Sequence, residues 1–259
     1  TLNTSSGNNS GDTFIYLAFA EENVQPEPEL ANSFNVVTYT GTSGTQSITG
    51  VGFQPDLVWA KNRTAGVTAH ILSDSVRGIK QLTSSGTDAE GSNTNMITSY
   101  DSDGFGVGDA YGLCNGNGYN FVAWCWKASN DSTINQDGSI TSIVSANPAA
   151  GFSVVKYTGN NTAGATIGHG LNSTPDLIIV KNLDTTDVWT VQHSSLGYTN
   201  YIDLSSTNAA TVNSSVWYAE PTSSTFSFGA NPRGNGNGNE HIAYCFHSVA
   251  GYQKIGSYT

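Results

Sequence analysis

Residues 55–62 read PDLVWAKN, and residues 175–182 read PDLIIVKN. The two stretches lie 120 positions apart, and the same spacing separates Cys125 from Cys245. Self-similarity at a fixed period is the sequence signature of a repeat architecture. The chain is therefore predicted to contain two copies of one structural unit.

Further phrases extend the two copies in both directions. Residues 34–41, FNVVTYTG, return as residues 152–159, FSVVKYTG, and the closing phrase FVAWCWK of the first copy corresponds to IAYCF in the second. We therefore predict the following organisation: the end of a preceding repeat plus an acidic, proline-containing linker at 1–30, a β-sandwich repeat at 31–129, a linker at 130–150, a second β-sandwich repeat at 151–250, and the start of a following repeat at 251–259.

Composition and patterning favour an all-β fold. Only 11% of the residues are charged, and β-branched and aromatic residues alternate with polar ones between Gly-, Asn- and Ser-rich turns, which is typical of strands. Strands are predicted near residues 34–40, 56–61, 68–73, 104–108 and 119–127 in the first unit and near 152–158, 176–181, 187–193, 225–229 and 240–247 in the second, with a small additional one at 139–144.

Two such units of about 100 residues fit tandem antiparallel β-sandwiches of a jelly-roll or concanavalin-like kind. The residues at 13–20 match a closing phrase, and those from 251 onward match an opening phrase. One hypothesis is that opening and closing strands of neighbouring repeats pair, so that the array is continuous. A start at Thr1 rather than at Met leads us to expect a fragment of a longer polypeptide.

Charge and hydropathy limit the partners that we expect. The net charge is −11, and nine Lys and Arg residues are spread thinly along the chain. No basic stripe is available to neutralise phosphates, and no apolar run approaches the roughly 20 residues that span a bilayer. We therefore expect neither nucleic-acid binding nor membrane insertion. No heptad or collagen pattern specifies an oligomer, although fibre proteins are commonly symmetric homo-oligomers, and we expect one here.

The phrases GDTFIYLAFAE, GVGFQPDLVWAKNR, SDSVRG, SYDSDGFGVG and YNFVAWCWKAS, followed by GSITSIVSANPAAGFSVVKYTG, resemble repeats of large structural proteins of marine bacteriophages. These include tail-fibre proteins and laminin-G-like, concanavalin-like sandwich proteins. The resemblance implies a virion-surface component with a role in host attachment, and it implies no catalytic residue or cofactor. The second unit lacks the SDSVRG phrase, so a site built on it is expected in the first unit alone.

Closely spaced carboxylates give one candidate metal site. Asp101, Asp103 and Asp109 surround a Gly-rich turn, and carboxylates in such a turn suit calcium. The alternative is an ordinary solvated turn, which we favour because the ligand set of an EF-hand is absent. No metal site is therefore assigned.

The cysteines and histidines suggest structural roles. Cys125 and Cys245 occupy equivalent positions between aromatic residues and are predicted to lie in the core. Cys114 either pairs with Cys125 across a hairpin or remains a free thiol. The histidines have no zinc-ligand spacing and are predicted to be isolated residues on polar faces: His70, His169, His193, His241 and His247.

Aromatic side chains are candidates for stacking on sugar rings, and they are Trp59, Trp124, Trp126, Trp189, Trp217, Tyr111, Tyr119 and Tyr218. Trp124 and Trp126 share one side of a strand, so packing is the more common role for them. Tyr111 and Trp217, in turn-rich surroundings, are predicted to be better surface candidates.

The leading functional hypothesis is a non-enzymatic structural and adhesive component of a virion surface, in contact with other virion or filament subunits and with host-surface glycan. The alternative is a carbohydrate-binding module of a secreted or cell-surface protein. A polysaccharide depolymerase ranks last because no matched pair of Asp or Glu residues recurs in both units. We expect an extracellular or virion-surface location.

Overall fold

The computed structural model describes residues 14–19 in their backbone only, then residue 30 and residues 32–258 apart from 65, 67, 110 and 111. The described residues form antiparallel sheets with two very short helical turns, so the all-β prediction is confirmed. We refer to residues 32–129 as the first half and to residues 130–258 as the second half.

The first half contains two sheets packed against each other. A five-stranded sheet has the order β2-β9-β4-β5-β6, and a three-stranded sheet has the order β3-β8-β7. The strands are β2 (Phe34–Thr40), β3 (Gln46–Thr49), β4 (Leu57–Asn62), β5 (His70–Asp74), β6 (Gly78–Thr83), β7 (Ile97–Asp101), β8 (Gly104–Val107) and β9 (Asn120–Trp126), after β1 (Phe14–Phe19) near the N-terminus.

The second half repeats this order in a larger sheet. Its eight strands run β10-β11-β12-β19-β14-β15-β16-β17, and a two-stranded sheet pairs β13 with β18. The elements are β10 (Thr133–Asn135), β11 (Ser142–Asn147), β12 (Phe152–Thr158), β13 (Ala165–Gly168), β14 (Leu177–Asn182), β15 (Thr190–His193), a 3-10 helix (Ser194–Leu196), β16 (Asn200–Asp203), β17 (Thr211–Val212), β18 (Thr225–Phe228), α1 (Pro232–Asn235), β19 (Glu240–Phe246) and β20 (Gln253–Tyr258).

All ten main strands predicted from the sequence are present, with ends that differ by up to three residues. The segment 130–150 differs from its prediction as a linker, because it supplies β10 and β11 to the sheet of the second half. Its alternating apolar residues are the reason, since Val144 reaches the core below the sheet. Most of the predicted acidic linker at 21–31 lies outside the described residues.

Pairing of the opening and closing strands occurs inside each half. Phe34 pairs with Trp126 at one end of β2 and β9, and Phe152 pairs with Phe246 at the same end of β12 and β19. The opening and closing strands of the two halves therefore pair within each half, and not with those of the other half as hypothesised. The outer segments β1 and β20 pair antiparallel with each other.

Each half has its own apolar core between its two sheets. In the first half, Val58, Phe105 and Cys125 are among the fully buried residues, and in the second half Ile178 and Cys245 occupy the corresponding place. This arrangement is consistent with a β-sandwich, in which inner faces of two sheets supply the core. A third cluster of buried residues lies between the halves.

Gly104, in the turn phrase SDGFG, stands where a larger residue would not fit. Gly104 begins β8 with φ +153°, and a Cβ at this position would collide with the carbonyl oxygen of Ile48 on β3. The close approach of β3 and β8 thus requires glycine here.

Candidate functional site

The third apolar cluster joins the outer faces of the two large sheets, and we call it the seam. Its fully buried or nearly buried members are Leu57, Leu72, Leu82, Trp126 and Ala128 from the first half and Phe152, Val154, Leu177, Ile179, Leu183, Trp189, Val191, Ile242, Tyr244, Phe246 and Ile255 from the second. These outer-face side chains at the seam are therefore buried as thoroughly as a domain core. Across the seam, the Trp126 ring centroid lies 6.2 Å from that of Phe152, in a tilted contact, and 6.2 Å from that of Phe246, in an edge-on contact.

The two sheets present equivalent rows of side chains to the seam, but the rows are covered unequally. In the second half, Val154, Tyr244 and Ile179 lie side by side on adjacent strands and are at most 6% exposed. In the first half, the corresponding row is Val36, Trp124 and Trp59, which we call the aromatic row.

Part of the aromatic row remains open to solvent. Val36 is 43% exposed, and Trp59 and Trp124 are only partly buried against the seam. The indole Nε1–H of Trp59 donates to Nδ1 of His70 at 3.0 Å, which fixes the orientation of this ring. The aromatic row is therefore the part of the outer face where a ligand or partner could contact exposed aromatic rings of fixed orientation.

A buried ionic network crosses the seam, and it is built on the SDSVRG phrase. Arg77 Nε lies 2.6 Å from the Asp74 carboxylate, and Arg77 Nη1 lies 3.0 Å from Glu90. The hydroxyl of Tyr244, in the second half, donates to Asp74 at 2.8 Å. Lys80 completes the network at the surface with a 2.6 Å contact to Glu90.

The protonation states of Arg77 and Tyr244 are set by burial and by the neighbouring charged groups. Burial alone would lower the pKa of Arg77, but the carboxylates of Asp74 and Glu90 raise it, so the guanidinium remains charged. Burial and the nearby Asp74 charge raise the pKa of the Tyr244 phenol, which therefore acts as a neutral donor. Arg77 thus forms ion pairs with both Asp74 and Glu90, and we interpret the network as one that stabilises the fold.

Backbone and side-chain hydrogen bonds continue the contact away from the ionic network. Trp189 Nε1 donates to the carbonyl of Thr83 at 2.9 Å, and the Glu90 N–H donates to Leu183 O at 2.8 Å. The seam is therefore closed by polar contacts as well as by apolar packing.

Asp56 ties the start of the second half to the first. Its carboxylate accepts bonds from the hydroxyls of Ser75 and Ser145 and from the backbone of Ala128 and Asn130. Burial raises the pKa of Asp56, while these hydrogen bonds oppose the rise. The Asp of the first PDL phrase thus has a positioning role, because Ser145 belongs to β11.

Two buried asparagines pin the loops at the far end of each half. Asn115 accepts bonds from Thr42 N and Gln46 Nε2 and donates to the carbonyls of Gly44 and Gly108. Asn235 makes the same kind of contacts with four backbone groups, those of Asn160, Asn161, Thr162 and Gly229. Sequence reasoning missed both, although the phrase NGNG begins at each of them, 120 positions apart.

The structure separates the three carboxylates proposed for calcium. Asp103 lies in the β7–β8 turn and accepts hydrogen bonds from the backbone N–H groups of Gly50 and Gly52 at 3.1 and 2.7 Å. Asp101 ends β7, and Asp109 follows the opposite end of β8. Within the part of the chain that the structure describes, no three His, Cys, Asp or Glu residues are grouped to hold a metal ion.

All three cysteines are buried free thiols, so the Cys114–Cys125 disulfide alternative is not formed. Cys125 and Cys245 lie in the two cores as predicted, and Cys114 packs with Ile71 and Met96 in a small separate cluster. Burial raises the pKa of the Cys114 and Cys125 thiols to about 12, which keeps them protonated and unreactive.

Three histidines contradict the prediction of isolated residues on polar faces. His169, His193 and His241 are fully buried. Burial lowers the pKa of His169 to about 4, so its ring stays neutral and accepts the Leu171 N–H at 3.2 Å. The prediction failed because the lack of zinc-ligand spacing says nothing about burial, and these rings serve as hydrogen-bonded core groups.

The prediction that Trp217 is a surface aromatic is wrong. It is fully buried, and its ring lies 4.3 Å from that of Phe228. The irregular segment before β18 runs along the core, which is why turn-like residues surround a core tryptophan. Tyr111 lies outside the described residues, whereas Tyr119 and Tyr218 are exposed at 39% and 49%.

A cleft of about 780 Å³ lies beside the junction of the halves. It is lined by Asn32, Ser33, Lys127, Ala128, Ser129, Ala146, Asn147, Pro148 and Ala149. The helices of the described region are all too short to cross a membrane.

Comparison with known proteins assigns the chain to a family. The profile of a family described as "Domain of unknown function (DUF7483)" matches residues 30–259, which include both halves. Searches of curated proteins and of solved structures found no match. The chain belongs to the DUF7483 family.

Proposed function

We propose that the chain is a non-enzymatic structural and adhesive module of a virion surface, such as a tail fibre, built from two tandem β-sandwich repeats locked face to face. The observation that carries the proposal is the seam, which combines sixteen buried apolar residues with the Asp74–Arg77–Tyr244 network. A contact of this kind makes two sandwiches into one rigid body, as a stiff spacer in a fibre requires.

The repeat interpretation is supported by pairing and by buried polar groups. The strand order β2-β9-β4-β5-β6 has its counterpart in β12-β19-β14-β15-β16. Asn115 and Asn235 pin equivalent loops, and Tyr39 and Tyr157 donate to the carbonyls of Cys114 and Gly234 at the same 2.7 Å. The phage assignment itself is supported by the resemblance of the quoted phrases.

Mass spectrometry of the native particle or filament that carries the chain tests the proposal. We expect peptides of this chain to purify with capsid or tail proteins, in a constant ratio to them through a density gradient. Recovery of the chain in the secreted, particle-free fraction alone would overturn the virion assignment.

A carbohydrate-binding module is the second candidate, and the aromatic row favours it. Trp59 and Trp124 are direct neighbours on adjacent strands, and both are partly exposed. Exposed, ordered aromatic rings bind the apolar faces of ligands well. A glycan array probed with the chain, and with Trp124→Ala as the matched variant, tests this: binding that the variant loses while remaining folded supports it, and no binding at millimolar glycan excludes it.

A further inference from the structure

The two halves differ at one edge of their large sheets. In the second half, β12 is covered by β11, from the pair Ser142–Tyr157 to the pair Asn147–Phe152. In the first half, the equivalent strand β2 ends the sheet, and no strand among the described residues pairs with its outer side. Among the described residues, the same phrase of sequence therefore forms an interior strand once and an edge strand once.

The backbone bonds at the two ends of β2 show which of its residues bond to β9 and which face the open side. Gly41 N–H donates to the carbonyl of Tyr119, and Lys127 N–H donates to that of Ser33, so the odd-numbered residues bond to β9. The backbone groups of Val36, Thr38 and Thr40 consequently point toward the open side. Two of these groups already have local partners: the Val36 N–H donates to Oδ1 of its neighbour Asn35 at 2.8 Å, and the Thr40 carbonyl accepts from Gln46 Nε2 at 3.2 Å.

The open edge lacks the usual protection against pairing. Residues 35–40 read NVVTYT, with no charged residue and no proline. Val36, Thr38 and Thr40 are all exposed. Natural edge strands are commonly blocked by lysine, proline or a bulge, and an unblocked edge pairs readily with another strand.

We propose that a second copy of this chain pairs with β2 through its own β2, antiparallel about a two-fold axis near Thr38, so that two five-stranded sheets become one continuous sheet. Such an axis places Val36 of each copy opposite Thr40 of the other, which brings outward-facing backbone groups together. Two-fold pairing of identical patches is the commonest form of protein dimer.

Charge and continuity favour a second copy as the occupant. Two chains that each carry a net charge of −11 approach with least repulsion along an uncharged strip, and β2 provides one. Val36 is also the direct neighbour of Trp124, which packs against the seam, so the contact would extend an apolar surface that already exists. The inference does not depend on the virion assignment.

Sedimentation equilibrium of residues 1–259 tests the proposal, with Val36→Lys as the disrupting variant and Val212→Lys as its control. Val212 is 71% exposed on β17, an edge of the other large sheet, so the same charge is added to a different edge. We expect a dimer for the wild type and for Val212→Lys, and a dissociation constant at least about tenfold higher for Val36→Lys.

Thr38→Lys is a second disrupting variant in case Val36→Lys does not fold, and circular dichroism checks each variant. Hydrogen exchange supplies an independent readout, because the amides of Thr38 and Thr40 should be protected only at concentrations at which the dimer forms. A wild type that remains monomeric at millimolar concentration, or a dimer that both β2 variants leave intact, would overturn the proposal.

Discussion

The Tyr244 hydroxyl donates a 2.8 Å hydrogen bond to the Asp74 carboxylate, and this bond connects two strands that lie 170 positions apart. Both residues are fully or almost fully buried. Asp74 also forms an ion pair with Arg77, and both of these residues belong to the first half. Tyr244, from the second half, adds a hydrogen bond to this pair. The contact therefore couples the stability of each half to that of the other.

Tyr244→Phe removes this bond and leaves the ring in place. Because the acceptor is a charged group without solvent access, we expect a loss of about 1.5–3 kcal/mol in the free energy of unfolding, measured by urea denaturation. Tyr218→Phe is the control, since Tyr218 is 49% exposed. Equal effects of the two variants would contradict a role for Tyr244 in joining the halves.

Arg77→Met tests the ionic network more severely. The variant leaves the Asp74 carboxylate buried without its cation, and we expect the free energy of unfolding to fall by about 3–5 kcal/mol. Lys80→Met removes the exposed arm of the same network, and because the Lys80 side chain is 49% exposed we expect a loss of no more than about 1 kcal/mol. If the two losses were the same in urea denaturation, the importance assigned to the buried pair would be wrong.

Asn115→Ala and Asn235→Ala each remove an amide that serves four hydrogen bonds in a buried loop. Each variant should lose at least about 2 kcal/mol, because the former partners are left unsatisfied. Asn117→Ala and Asn237→Ala, two positions further on and exposed, should change the stability by less than about 0.5 kcal/mol. Thermal denaturation of all four variants compares them, and a tolerated Asn235→Ala would contradict the pinning role.

Lys181 is a buried lysine with a predictable effect on stability at alkaline pH. Burial lowers its pKa to about 8, against which the charges of Asp187 and Asp88 act only in part. An unfolded lysine titrates near pH 10.4, so between these values the unfolded chain holds a proton that the folded chain has released. The free energy of unfolding should consequently rise with pH across this window.

Lys181→Met removes that contribution, so the comparison of the two proteins isolates it from other groups that titrate at alkaline pH. Urea denaturation at about pH 7 and about pH 10 should show the wild type gaining stability relative to Lys181→Met as the pH is raised. A stability difference that is the same at both pH values would show that Lys181 keeps an ordinary pKa.

The main strands could be predicted because β4, β9, β14 and β19 are short apolar runs, rich in β-branched or aromatic residues, that are bounded by turn residues. The sequence pattern could not show that the outer faces of these sheets are buried, because that burial comes from packing between the two halves. Asp74 and Arg77 appeared in the sequence only as parts of a quoted phrase, and their partner Tyr244 is far away in the chain. The strands that were not predicted include β3, β6, β7, β13 and β16, and length alone is not the reason, because the four-residue strands β8 and β18 were predicted.

The candidate site was predictable in part. Cys125 and Cys245 were placed correctly in the cores because each lies between aromatic residues on a clear strand. Trp217 was misplaced because local turn residues carry no information about which loop crosses a core. The NGNG phrase at Asn115 and Asn235 was a usable signal that the repeat spacing alone could have marked as structural.

Differential scanning calorimetry of residues 1–259 tests the central claim, that the seam makes the two halves one body. We predict a single transition whose calorimetric and van't Hoff enthalpies agree, as cooperative two-state unfolding requires, and which Arg77→Met shifts as a whole to lower temperature. Two separate transitions, of which Arg77→Met moves only one, would contradict the claim.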